Sequence, residues 1–156
     1  MSDSSTGAAA GIAALLPREA IKLGLPSTTR EDAVEQAGAV LVSIGAVESH
    51  YAEAMQEREQ MVSSFVGEGV AIPHGTNEAK KYVRRASLAF LQFPDGIDWE
   101  GQDVKVAIAI AAAADEHLAV MSALATILMD ADQAEALRST DDPDRVLALL
   151  SNTARS

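Results

Sequence analysis

Residues 66–83 read VGEGVAIPHGTNEAKKYV, and the apolar piece from Val70 to Ile72 inside them reads as a short buried strand. A continuous apolar run bounded by glycine and proline suits a strand covered on both faces. Pro73 has a fixed φ and no N–H for a sheet ladder, so the strand is expected to stop there. Gly75 has no Cβ and permits close approach by another backbone or a phosphate. His74 is thereby predicted at the carboxyl end of a strand, held by its backbone and open on one side. A neutral imidazole is a nucleophile near neutral pH, and one held in this way can accept a phosphoryl group and pass it on.

The flanking sequence supplies the layers around this strand. Val104 to Ile110 is long, apolar and rich in β-branched residues, which predicts a central strand. Ser87 to Phe93 predicts a second strand apolar on both faces, with Pro94-Asp95-Gly96 as a turn and Ile97 to Trp99 as a short strand beyond it. Ile21 and Leu23 alternate with polar neighbours as another short strand. Thr28 with Glu31 reads as a capping box for a helix to about Ile44, its inward stripe being Ala33, Val34, Ala37, Val40, Leu41 and Ile44 and its stop Gly45. Ser49 caps a second helix over about 50–61. Asp115 starts a third that runs to about Met129, with Leu118, Met121, Leu124 and Leu128 inward. A short helix near 131–138 follows, and Asp142-Pro143 opens a last one. Strands interspersed with helices of this length predict an α/β layer structure.

At 156 residues the chain makes one domain with a sufficient core, and apolar residues at 48% with aromatics at 4% require that core to be packed from Ala, Val, Leu and Ile. Residues 1–16, rich in Ser, Gly and Ala, read as a flexible N-terminal tail, and 17–152 as the domain proper. The longest apolar run, Val106 to Ala114, is far short of the ~20 residues a membrane helix needs. No basic residue precedes the N-terminal apolar patch, which argues against a secretory signal, so cytoplasm is the expected compartment. Cysteine is absent, which excludes disulfides, thiolate catalysis and thiolate metal sites. The formal net charge of −11 argues against nucleic acid as a partner. The basic run Lys80, Lys81, Arg84 and Arg85 reads by default as a solvated short helix, or else as a positive edge beside His74.

The segment around His74 resembles the active-site segment of IIA components of the bacterial sugar phosphotransferase system, mannitol/fructose class. His74-Gly75-Thr76 followed by Glu78-Ala79-Lys80 is more similar to the mannitol type than to the fructose or nitrogen-regulatory types. Met55-Gln56-Glu57-Arg58-Glu59, Gln92-Phe93-Pro94-Asp95-Gly96 and Asp115-Glu116-His117-Leu118 agree at fixed distances, and the similarity spans about residues 17–150. The resemblance implies a mixed central β-sheet flanked by helices on both sides. It also implies a phosphohistidine carrier that takes phosphoryl from the phosphocarrier HPr and passes it to a cysteine on a IIB component of a sugar permease, without cofactor or metal. His74 would use Nε2, with Nδ1 held by a backbone or side-chain partner.

Of the three histidines, His50 lies among residues that form no motif and reads as a surface residue. His117 falls in the first turn of a predicted helix, where the dipole disfavours imidazolium and attracts anions. The resemblance gives it the role of a second active-site histidine. Arg58, between Glu57 and Glu59, would otherwise be an exposed ion-pairing residue; the resemblance places it at the site, where a guanidinium suits a phosphoryl group. Glu68 and Glu78 are expected to be structural, since carboxylates repel phosphate. Two alternatives remain at this point: a nitrogen-type regulatory IIA protein that signals through its phosphorylation state, and a metalloenzyme using His74, His117 and Asp115 or Glu116. The second lacks a compact spacing such as His-Glu-x-x-His.

Overall fold

The computed structural model describes residues 11–151. Five strands form one mixed sheet: β1 (Ile21–Lys22), β2 (Phe65–Gly67), β3 (Val70–Ala71), β4 (Ser87–Trp99) and β5 (Gln102–Ala111), in the order β1-β4-β5-β3-β2. β4 and β5 run antiparallel, while β1 is parallel to β4 and β3 parallel to β5. β5 thus holds the central place that its apolar, β-branched sequence predicts. Ser87 to Phe93 are buried without a break, as are Val106 to Ala111, so both faces of the two long strands are covered. α1 (Arg30–Ser43) and α4 (Ala131–Ser139) each pack on β4 and β5. Three further helices, α2 (Ser49–Met61), α3 (Ala114–Leu128) and α5 (Pro143–Leu150), complete the layers. This is the α/β architecture expected from the sequence.

Several local expectations are corrected. Pro94-Asp95-Gly96 does not end a strand: β4 passes through it with a bulge, in which the five steps from Gln92 to Ile97 face only the two from Val106 to Val104. Proline cannot donate to the ladder, and an irregularity is where a strand tolerates it. The reversal lies at Glu100-Gly101, whose φ values of 54° and 90° suit a tight hairpin. A second such turn at Glu68-Gly69 joins β2, unforeseen in the sequence, to β3. The cap of α1 is Thr29, which accepts from the Asp32 N–H at 3.0 Å, rather than Thr28, whose hydroxyl donates to the Asp32 carboxylate. Leu118, expected to face inward, is 72% exposed; Val120, Leu124, Ile127 and Leu128 carry the buried stripe of α3.

Packing begins ahead of Pro17. A 3-10 turn at Gly11–Leu15 rests on α3 and α5 and buries Ile12, and Leu16 beside it is also in the core. The rest of the expected tail, residues 1–10, lies outside the described residues. Among the described residues no helix is long and apolar enough to cross a membrane.

One buried carboxylate braces the end of α2. Glu59 accepts from the Ser64 N–H at 2.9 Å, the Ser64 hydroxyl at 2.7 Å and the Trp99 indole N–H at 2.9 Å. It thereby ties the chain after α2 to β4. Glu59→Ala strands two buried N–H donors and is expected to destabilise by about 3 kcal/mol in urea unfolding, with Glu59→Gln costing less because one acceptor oxygen remains.

Candidate active site

His74 follows β3 and is bridged to Ile110 of β5, and the Ile110 N–H donates to the Pro73 carbonyl at 3.0 Å. The ring is half-buried. Its Nδ1 lies 2.8 Å from the Ile72 carbonyl oxygen. A carbonyl only accepts, so Nδ1 carries the proton and Nε2 keeps its lone pair. Burial is the main cause that lowers the His74 pKa; the Ile72 carbonyl opposes it, and Arg58 and Lys80 add to the lowering. The ring is therefore neutral at pH 7.

His117 comes from the first turn of α3 and lies against His74, ring centroids 4.7 Å apart and planes 55° from parallel. Burial, then His74, Lys80 and Arg58, push its pKa from 6.5 down to about 4. The consequence for stability has a definite sign. Between about pH 6.5 and 4 the unfolded chain holds a proton at His117 that the folded chain does not, so lowering the pH through this window favours unfolding. His117→Gln is expected to flatten that part of the profile, read as the urea midpoint against pH.

Arg58 projects from the last turn of α2 and Lys80 from a 3-10 turn, Asn77–Tyr82. With His74, Gly75, Thr76 and His117 they line a cleft of about 370 Å³, flanked by Met61 and Val62. The structure thus brings His74, His117 and Arg58 together, as their assignment to one site requires. Among the described residues no carboxylate lines the cleft. Among the described residues Arg58 donates only to the Val62 carbonyl, at 3.2 Å, and Lys80 only to the Asn77 side-chain oxygen, at 2.9 Å. Neither forms an ion pair among the described residues. Two unneutralised cations in a chain of net charge −11 make a local anion site.

The basic run divides by role. Lys80 enters the cleft, Lys81 lies over the Tyr82 ring, and Arg85 donates to the carbonyls of Ile44 and Gly45 at the end of α1. His50 stacks on Tyr82 and lines a separate depression with Glu78. Glu68 is engaged by Arg138, away from the histidines. The side chains of Asp115 and Glu116 accept from backbone N–H groups at the start of α3, and among the described residues no group of three or more His, Asp or Glu is placed to hold a metal ion.

Tyr51 is the residue that sequence reasoning missed. It is buried, accepts from the Gly75 N–H at 3.0 Å and donates to the Ile110 carbonyl at 2.7 Å. A Cβ on Gly75 would lie 2.7 Å from the Tyr51 ring, so the glycine makes room for this ring rather than for a phosphate or another backbone. An apolar-looking position on α2 carries no sign of such a partner 24 residues on.

The family described as "Phosphoenolpyruvate-dependent sugar phosphotransferase system, EIIA 2" matches residues 14–153. This chain belongs to that family. Among its relatives is a protein of Halalkalibacterium halodurans named mannitol-specific phosphotransferase enzyme IIA component, 40% identical over 87% of this chain and 94% of that one. A protein of the same name from Staphylococcus aureus is 46% identical over 71% and 77% of the two chains. A solved structure of the Escherichia coli complex of enzyme IIAMTL and phosphorylated enzyme IIBMTL contains a chain that superposes with a TM-score of 0.83 at 37% identity, covering 88% of this chain and 99% of that chain. The family match takes in Arg58, His74, Lys80 and His117 together.

Proposed function

We propose that this EIIA 2 chain is a cytoplasmic phosphohistidine carrier of the mannitol type, loaded on His74 Nε2 by phosphorylated HPr and unloaded onto a IIB component. The observation that carries the reading is the cleft itself: a neutral half-buried histidine with its Nδ1 proton held by the Ile72 carbonyl, facing unpaired Arg58 and Lys80 in an acidic protein. Relatives named as mannitol-specific IIA components and the likeness to the IIA–IIB complex support the sugar class and the acceptor.

In loading, the Nε2 lone pair attacks phosphorus in line with the donor nitrogen, the donor P–N bond breaks, and its electron pair stays with the HPr histidine. In unloading, a IIB cysteine thiolate attacks the same phosphorus and Nε2 recovers its lone pair. Arg58 and Lys80 meet the phosphoryl oxygens, and His117, at a helix N-terminus, orients the group. The Ile72 carbonyl strengthens its bond to Nδ1–H as the ring acquires charge. Exposed Met61 and Val62 flank the cleft and supply apolar docking area for both partners.

The test is a two-step transfer with purified components. Phosphorylated HPr is expected to deposit one acid-labile, alkali-stable phosphoryl group, and mannitol IIB to remove it. A protein that loads but keeps its phosphate before mannitol- and fructose-class IIB would belong to the nitrogen-type regulatory reading. Absence of loading would overturn the carrier assignment.

A further inference from the structure

Loops that carry a nucleophile are held by something, and here the contacts single out one side chain. On the N-terminal side of His74, the Ile110 N–H donates to the Pro73 carbonyl. On the C-terminal side no strand continues, yet Gly75 is buried and its N–H requires a partner. That partner is the Tyr51 hydroxyl, which passes the bond on to the Ile110 carbonyl at 2.7 Å. Ile110 is thus used twice, by its N–H before His74 and by its C=O after it. The phenol stands where a strand residue would otherwise continue the ladder.

We infer that Tyr51 is a positioning residue for phosphoryl transfer, clamping the Gly75 peptide to β5 so that His74 Nδ1 stays on the Ile72 carbonyl and Nε2 stays free. Three features of the geometry support this role. The hydroxyl has one proton and gives it to Ile110, which leaves its oxygen lone pairs to accept from the Gly75 N–H. The ring sits so close to Gly75 that even a methyl group there would force it aside. Neither Tyr51 nor Gly75 is open to solvent, so water does not replace the bond cheaply. Burial also raises the Tyr51 pKa, with the Gly75 N–H opposing it, which keeps the phenol a donor throughout the working pH range.

Release of the clamp has a particular consequence for the imidazole. The Nδ1 bond to Ile72 spans only two residues, so it is made within the loop and depends on the loop's shape. Once the Gly75 peptide is free to turn, the ring samples the tautomer with the proton on Nε2, which has no lone pair there to attack phosphorus. The residue acts through His74 and does not touch the phosphoryl group.

The inference rests on His74 being the phosphoryl acceptor, and its test separates the two claims. Tyr51→Phe keeps the ring and removes only the oxygen. Nitrogen-15 NMR of the unphosphorylated protein is expected to show wild-type His74 with its proton on Nδ1, and the variant with a mixture of tautomers. The Gly75 amide, protected in the wild type, is expected to exchange at least tenfold faster in the variant. Single-turnover loading from phosphorylated HPr should slow about tenfold, the ratio worth one net hydrogen bond, with HPr affinity unchanged. His50→Ala, a neighbour on the same helix whose ring stacks on Tyr82, is expected to leave all three readouts unchanged. Wild-type tautomer, exchange and loading in a folded Tyr51→Phe protein would overturn the inference while leaving the carrier function intact. Should the variant not fold, Gly75→Ala reports instead, since its Cβ displaces the same ring: an unchanged His74 tautomer there would equally overturn the inference. Failure of the wild type to load would overturn the carrier reading alone, because tautomer and exchange are read without phosphate.

Discussion

His74→Ala is expected to abolish phosphoryl acceptance from phosphorylated HPr, with no labelled protein above background in a gel-shift or mass measurement. Among the described residues that line the cleft, His117 is the one other imidazole, while the cations Lys80 and Arg58 and the Thr76 hydroxyl are poor nucleophiles. If His117 took the phosphoryl group instead, the His74 variant would still label, and stoichiometric labelling would refute the assignment. His74→Ala leaves the fold in place, because the bonds that pin this loop to Ile110 are made by Pro73, Gly75 and Tyr51. His50→Ala, on the far side of Thr76, is expected to label as wild type. Acid lability of the wild-type bond follows from protonation of the phosphoramidate nitrogen, which makes it a better leaving group than the oxygen of a phosphoserine.

Arg58→Ala is expected to slow loading by about 10²-fold while leaving the urea midpoint nearly unchanged. One charge facing another at ~4 Å with an effective dielectric of ~20 is on the order of 4 kcal/mol, and removal of one such donor from a transition state commonly costs ~10²–10³ in rate. The side chain's one hydrogen-bond partner among the described residues is the Val62 carbonyl, so folding loses little. Arg58→Lys should recover part of the rate, since charge returns without the planar fork. Lys80→Ala is expected to show a smaller loss of the same kind, and the pair of substitutions to lose more than either. An Arg58→Ala protein that loads at the wild-type rate would show that the guanidinium serves only the end of α2.

Much of the site was legible in residues close together in sequence. Pro73, His74 and Gly75 announce a strand end by their own backbone restrictions, and the apolar runs at 70–72 and 104–110 read as buried strands because a residue with both neighbours apolar has no solvent face to keep. What failed was local detail decided by distant partners. Leu118 has the spacing of a core residue, yet the packing of α3 against α4, α5 and the Gly11–Leu15 turn sets its buried stripe through Val120, Leu124 and Ile127. Pro94-Asp95-Gly96 has turn composition, yet β5 continues beside it and absorbs it as a bulge.

The sequence by itself determined the class of fold, the candidate nucleophile and the net acidity of the chain, because each is written in residue type and short-range order. Only the tertiary structure decided which nitrogen of His74 is free, that Arg58 and Lys80 go unpaired into one cleft, and that Tyr51 holds the loop. These depend on groups brought together from three separate stretches of chain, 51–62, 72–80 and 110, and a hydrogen-bond partner 24 or 59 residues away leaves no periodic trace in the sequence. The same holds for the His117 pKa: its fall to about 4 comes first from burial and then from three neighbours that only folding supplies.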